Sequence, residues 1–192
     1  MNHTLFALIN AHAGKNGIVD AIAVATAEYL PLLFAACLGY LWFRKRELRE
    51  EVLLIGITAL LALAMNFAIT LVYFHPRPFM EHEVNQLIRH APETSFPSDH
   101  ATLMLTLAFM LASCRRLGNL GVPFIVLALA GGFARVFCGV HYPFDIAGSL
   151  VVALMATGLS RLLLHRHLSL LVRAMMERYY IIAARLVPAK RH

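Results

Sequence analysis

Charge is scarce in this chain. Asp, Glu, Lys and Arg make up 15% of its 192 residues and hydrophobic residues 59%. Soluble domains carry about a quarter charged residues, so a fold wrapped in water is excluded as the first reading and a bilayer is indicated. Cysteine is scarce too. Cys37, Cys114 and Cys138 lie far apart, each in or beside an apolar stretch. That spacing argues against a disulfide framework or a metal cluster and for small buried hydrophobes. Acidic residues number 11 against 17 basic ones, a formal net charge of +6. The basic residues are scattered among apolar runs and form no stripe, which argues against a nucleic-acid partner. In a membrane protein the same excess marks cytoplasmic loops and attraction to anionic lipid. The start, "MNHTLFALINAHAGKNG", has no basic opening and only a short apolar run, so no signal peptide is expected. There is no internal repeat and no low-complexity tract.

What is present is a set of long apolar runs. A membrane span takes about 20 mostly apolar residues. Five segments qualify, at about 21–43, 52–74, 98–114, 119–138 and 143–164. Helices are expected, because a span in lipid must satisfy its backbone internally. The expected fold is therefore an all-α integral membrane bundle of about five transmembrane helices plus interfacial ones. Arg44, Lys45, Arg46, Arg49, Arg115, Arg116, Arg161 and Arg166 fall in loops on one side, and Lys15, Arg77, Arg89 and Arg135 on the other. The more basic side should face the cytoplasm, which puts the N-terminus and the loop at 75–97 outside. Residues 1–13 read as a short interfacial helix. The chain divides into a membrane-embedded unit, 1–165, and a cytoplasmic tail, 166–192. In the tail Leu168, Leu171, Val172, Met175, Tyr179 and Ile182 fall between basic residues at near-helical spacing.

Three polar clusters fall at the outer ends of these spans: "HPRPF" around Arg77, "PSDH" at 97–100, and "RVFCGVHYPFD", which holds Arg135, His141 and Asp145. Pro97 suits a first helical turn, which would place Ser98, Asp99 and His100 with their free N–H groups where a phosphate binds. Pro143 places His141 just ahead of the fifth span and Asp145 in its first turn. A carboxylate there can take the proton of one imidazole nitrogen and leave the other as a nucleophile. Arg77 and Arg135 match phosphate oxygens in fork geometry, as phosphoryl transfer requires, and His100 is the natural general acid. Taken singly, an arginine at a membrane surface snorkels to headgroups and a loop histidine is solvated. Together, on one face, they favour chemistry.

Arg77-Pro78, then "PSDH", then Arg135, His141 and Asp145 in that order resemble the type 2 phosphatidic acid phosphatase superfamily. The branch most similar is that of the bacterial undecaprenyl-diphosphate phosphatases associated with bacitracin resistance. The resemblance covers roughly residues 50–160. It implies the fold shared with vanadium haloperoxidases. His141 would be the nucleophile that becomes phosphohistidine, Asp145 its orienter, and His100 the acid for the leaving group. Arg77, Arg135 and Ser98, with nearby backbone N–H groups, would hold phosphate; no metal or other cofactor is implied. The implied substrate is a polyprenyl diphosphate, cleaved to the monophosphate at the outer face of a bacterial inner membrane. Three positions depart from the family pattern. Thr70 stands where the family has a Lys, with His75 or Arg89 as candidate substitutes. Asp99 replaces a Gly, and its carboxylate must be paired or turned away. Ala134 replaces a Ser.

Glu28, inside the first span, is a further accessory candidate, as a partner for an active-site arginine or for Arg89. Asn66 reads as an interhelical hydrogen-bond donor, and Gly131 and Gly132 as points of close helix approach. Two rival readings remain at this stage. One keeps the mechanism on another lipid phosphate: phosphatidylglycerol phosphate, phosphatidic acid or a lipid A phosphate. The other is a non-catalytic lipid or anion transporter, against which the missing repeat counts.

Overall fold

The computed structural model describes residues 1–163 and 165–186. Among them the regular structure is helical: α1 (Asn2–Asn10), α2 (Gly17–Arg44), α3 (Arg49–Val72), α4 (Pro78–Glu81), α5 (Asp99–Ser113), α6 (Gly118–Phe137), α7 (Pro143–Gly158) and α8 (His165–Leu186). A 3-10 turn, Arg46–Leu48, joins α2 to α3, and α7 runs on into a π-helical turn, Leu159–Leu163. The spans at Gly17–Arg44, Arg46–Val72, Gly118–Phe137 and Pro143–Leu162 are long and apolar enough to cross a membrane. Leu32, Leu60, Val126 and Leu154 on these helices are exposed on the outside of the bundle, where hydrocarbon can replace water.

The fifth expected span, α5, has only 15 residues. At 1.5 Å per residue that is about 22 Å, short of a hydrocarbon core of about 30 Å. Its burial supplies the reason. Nine of the 15 residues are buried, and α5 packs on α2, α3, α6 and α7. A helix sheathed by other helices has its ends covered by protein and need not match the lipid thickness. Met104, Leu105, Met110 and Leu111 of α5 join Phe34, Ile55, Ala128 and Ala153 in the main core.

Close helix approach explains the small residues. A Cβ on Gly121 would lie 2.2 Å from the Ala112 Cα, so α5 and α6 touch backbone to backbone there. Gly131 and Gly132 serve the same end: a Cβ would meet Met104 Cε at 2.6 Å and Ile146 Cγ2 at 2.7 Å. Asn66 is fully buried in α3 and bonds across to α5, with Nδ2 donating to Asp99 Oδ1 at 2.8 Å and to Thr102 Oγ1 at 3.0 Å. The three cysteines are free.

The tail is helical through Leu186; residues 187–192 of the expected tail lie outside the described residues. Its apolar residues divide between two faces. Val172 and Met176 are buried in the main core with Leu168 against them, whereas Leu171, Met175 and Ile182 are exposed. An i, i+4, i+8 row is the ridge that one helix lays against another. Here the row meets α3, and the exposed apolar residues are left facing outward.

Because successive long helices alternate in direction, the end of α3, the starts of α5 and α7 and the end of α6 share one end of the bundle. Arg46, Arg49, Arg115, Arg116 and Arg161 gather at the other.

Candidate active site

The segment between α3 and α5 crosses the first of these ends and is pinned by α1. Asn10 is buried, its Nδ2 donating to the Asn85 and Phe137 carbonyls, both at 2.9 Å, while its Oδ1 accepts from the Asn85 N–H at 2.9 Å. The turn after α6 adds a bond from the Leu87 N–H to the Cys138 carbonyl. It needs Gly139, whose φ of +82° favours glycine and whose Cβ would sit 2.9 Å from the Asn85 carbonyl. These contacts set Arg77 and His141 side by side.

Arg77, His100, Arg135 and His141 line one pocket of about 390 Å³, together with Asp99, Thr70, His90, Glu93, Thr94, Pro97 and Phe67. Arg77 is buried. Its Nη1 donates to the Val140 carbonyl at 2.9 Å and approaches His141 Nε2 at 3.1 Å, while Nη2 pairs with Glu93 at 3.2 Å. Burial lowers the Arg77 guanidinium pKa, and the Glu93 carboxylate opposes that shift. Arg135 is only 2% exposed, and its Nη1 reaches the Ala27 carbonyl at 3.4 Å. Its Nε has no partner among the described residues.

The His141 tautomer follows from these contacts. A guanidinium only donates, so Nε2 beside Arg77 carries a lone pair. The proton then sits on Nδ1, which faces the Ser95 carbonyl at 2.9 Å and Asp145 Oδ2 at 3.4 Å. The imidazole is buried, which pushes its pKa down to about 3 even though Asp145 pulls upward. A neutral ring with its lone pair on Nε2 is thus favoured at neutral pH.

Asp145 stands behind this ring and is held by its helix. Pro143 opens α7, and the Asp145 carboxylate turns back to accept from the Tyr142 N–H at 2.7 Å, the capping-box bond. Ser95 Oγ donates to the same oxygen, in a very short contact. The other oxygen lies 3.6 Å from His75 Nδ1.

The remaining sequence candidates are placed as follows. Asp99 lines the pocket, but its carboxylate accepts from Asn66, which ties it toward α3. Ser98 is fully buried as the N-cap of α5, its Oγ accepting from the Ala101 N–H at 3.5 Å. That hydroxyl is engaged in capping, and Pro97 precedes the helix instead of opening it. Thr70 lines the pocket and donates its hydroxyl to the Phe67 carbonyl. His75 stacks on Tyr73 and lies behind the pocket, toward Asp145. Arg89 and Glu28 are exposed and are not among the pocket's lining residues. Neither makes an ion pair among the described residues, but Glu28 directly follows Ala27, whose carbonyl Arg135 reaches, so its carboxylate stands in favourable charge relation to that arginine.

Sequence reasoning missed Ser95, His90 and Glu93. Ser95 lies two residues ahead of the "PSDH" motif and belongs to no pattern of its own. His90 and Glu93 belong to no motif and enter the pocket through the path of the loop. Burial, then the nearby Arg77 and Arg135 charges, hold the His90 pKa below the usual histidine value.

A bundle of membrane-spanning helices whose polar pocket pairs two buried guanidinium groups with a backed, neutral histidine is built as a membrane-embedded hydrolase of phosphate compounds. The chain belongs to the PAP2 superfamily, which residues 51–169 match; the family implies lipid phosphates as substrates. The chain is 42% identical over 156 residues to the undecaprenyl-diphosphatase BcrC of Bacillus subtilis, covering 81% of this chain and 80% of the relative. It is 33% identical over 159 residues to the putative undecaprenyl-diphosphatase YbjG of Escherichia coli, covering 81% and 78%. The crystal structure of Aquifex aeolicus LpxE superposes with a TM-score of 0.71 at 22% identity, over 83% of this chain and 93% of that one, a likeness of fold. With its apolar helices, the protein is a multi-pass membrane hydrolase.

Proposed function

We propose that the protein removes the terminal phosphoryl group of undecaprenyl diphosphate, or a similar polyprenyl diphosphate, at the outer face of a bacterial inner membrane. His141 Nε2 attacks the terminal phosphorus. A P–N bond forms, the bridging P–O bond breaks, and His100 gives its proton to the departing lipid monophosphate. His100 then takes a proton from water. The resulting hydroxide attacks phosphorus, the P–N bond breaks, and inorganic phosphate leaves with the Nε2 lone pair restored. Arg77 and Arg135 hold the phosphoryl oxygens. An incoming phosphate draws the Arg77 donors onto its own oxygens and so uncovers Nε2. The Ser95 carbonyl and Asp145 stabilise the positive imidazole of phosphohistidine. The observation that carries this reading is the fixed direction of the His141 lone pair, into a pocket shared with His100 and two guanidinium groups. The substrate assignment is supported by the two relatives named for this activity. The basic loops at the other end of the bundle support the outward orientation.

The experiment is phosphate release by the purified protein from a panel of lipids. Undecaprenyl diphosphate is expected to give the highest kcat/KM, above phosphatidylglycerol phosphate, phosphatidic acid and a lipid A phosphate. A higher value for one of the others moves the assignment to that lipid. No release from any of them leaves the transporter reading. Chelators are expected to leave turnover intact.

Ser95 supplies a second test. Ser95→Ala keeps the carbonyl that holds His141 Nδ1 but removes the hydroxyl donor on Asp145 Oδ2, leaving the Tyr142 N–H and the more distant His141 Nδ1. Loss of a hydrogen bond to a charged group is worth about 1.5–3 kcal/mol, so kcat should fall about 10- to 100-fold with KM little changed. Steady-state kinetics on detergent-solubilised protein measure this, and an unchanged kcat would show that Asp145 needs no such support.

A further inference from the structure

The end of the bundle away from the candidate active site carries a larger cleft, of about 610 Å³. It is framed by the turn between α2 and α3, the end of α5 and the inner side of α8. Five arginines line it, Arg46, Arg49, Arg115, Arg116 and Arg161, against three carboxylates, Glu47, Glu50 and Glu51. Two of the carboxylates are engaged: Glu51 with Arg161 at 3.1 Å and Glu50 with Arg173 at 3.9 Å. Arg116 reaches only the Glu47 carbonyl, at 3.5 Å. Arg46, Arg49 and Arg115 have no carboxylate within ion-pair distance among the described residues. The cleft therefore holds an excess of positive charge.

Arg49 distinguishes this cleft from a solvated basic surface. It is 8% exposed. Its Nε donates to the Trp42 carbonyl at 2.9 Å, its Nη1 approaches the Tyr180 hydroxyl at 3.5 Å, and the rings of Trp42, Tyr179 and Tyr180 lie 5.5, 5.5 and 5.9 Å from its guanidinium carbon. The aromatic faces offset part of the cost of burying the charge, and no carboxylate among the described residues lies within ion-pair distance of it. Arg49 also opens α3, where the helix dipole disfavours a cation and favours an anion. A buried, oriented guanidinium in a cleft lined by further exposed arginines is an arrangement suited to a phosphate group.

We infer that this cleft binds the phosphate of an anionic lipid headgroup, with Arg49 as the fixed contact, Arg46, Arg115 and Arg116 closing over it, and α8 forming one wall. Met176 and Tyr180 bring an apolar edge to the cleft, beside which the acyl chains can lie, and basic pockets between spans are known lipid-headgroup sites. The inference is independent of the proposed reaction.

The test is the thermal unfolding midpoint of the full-length protein in neutral phosphatidylcholine mixed micelles, with and without phosphatidylglycerol. Phosphatidylglycerol is expected to raise the wild-type midpoint. The triple variant Arg46→Gln/Arg115→Gln/Arg116→Gln should lose at least half of that shift. A variant with the same charge change outside the cleft, Arg44→Gln/Lys45→Gln/Arg178→Gln, should keep it. Hydrolysis in neutral micelles reports that both variants are folded, since no substituted residue touches the candidate active site. If the triple variant folds poorly, the single change at exposed Arg115 gives a smaller loss read in the same way. Equal losses in both triple variants, a shift that survives in the cleft variant, or no shift in the wild type overturns the proposal. Inorganic phosphate separates the sources: a cleft-dependent shift obtained in full with phosphate, and not enlarged by phosphatidylglycerol, overturns the lipid as its origin.

Discussion

His141→Asn is expected to leave a folded protein that does not turn over. The asparagine amide reaches about as far as Nδ1 of the imidazole and can still donate to the Ser95 carbonyl, so the 2.9 Å contact that seats residue 141 has a replacement. What disappears is Nε2 and its lone pair. Removal of a covalent nucleophile elsewhere costs more than about 10⁴-fold in kcat, and a loss of that size in phosphate release is expected here, with lipid binding retained. Turnover within 10-fold of wild type would exclude His141 as nucleophile. The same variant carries a pH signature. The His141 pKa in the fold is pushed down to about 3, below the usual value near 6.5. The unfolded chain therefore takes up a proton as pH falls through 6.5, while the folded chain resists until about 3. Stability contributed by the neutral ring is complete above 6.5 and is lost progressively as the pH falls toward 3. The unfolding midpoint of His141→Asn should fall less steeply over that interval than the wild type's.

The residues that meet in the pocket were legible because direction alternates along a helical bundle. Arg77 follows the end of α3, His100 sits at the start of α5, Arg135 at the end of α6, and His141 before α7. Once the apolar runs are read as helices, these positions fall at one end with no further information. Asp145 was legible through Pro143, which fixes the first turn of α7. The supporting groups were not. The nearest acceptor for His141 Nδ1 is the Ser95 main-chain carbonyl, a group present at every residue and thus invisible to pattern. His90 and Glu93 reach the pocket through the path of a loop that Asn10, far away in sequence, helps to tie down at Asn85. Ser98 illustrates the reverse. Its place in "PSDH" suggests a grip on phosphate; its oxygen also caps α5 by accepting from the Ala101 N–H, which leaves the hydroxyl proton free to donate.

Replacement of Arg135 by methionine is expected to make the protein more heat-stable and inactive. Arg135 is 2% exposed, its Nε is unpartnered, and its hydrogen bond to Ala27 is long. Burying a charge with so little compensation costs several kcal/mol, and an apolar side chain of similar volume removes that cost. On the proposed function, a phosphoryl group in the pocket would offset that cost by supplying the missing acceptor. Loss of an arginine that balances charge in phosphoryl transfer typically lowers kcat by about 10³-fold or more. Arg135→Met should therefore raise the unfolding midpoint while phosphate release drops by that factor. Orthovanadate, a mimic of the transferring phosphoryl group, should stabilise the wild type and not the variant. Arg135→Lys should fall between them, since it keeps the charge and loses the planar fork. If Arg135→Met instead melted lower and vanadate stabilised it as well as the wild type, the guanidinium would be a structural strut to the Ala27 carbonyl. The phosphoryl group would then have to be held from the Arg77 side alone.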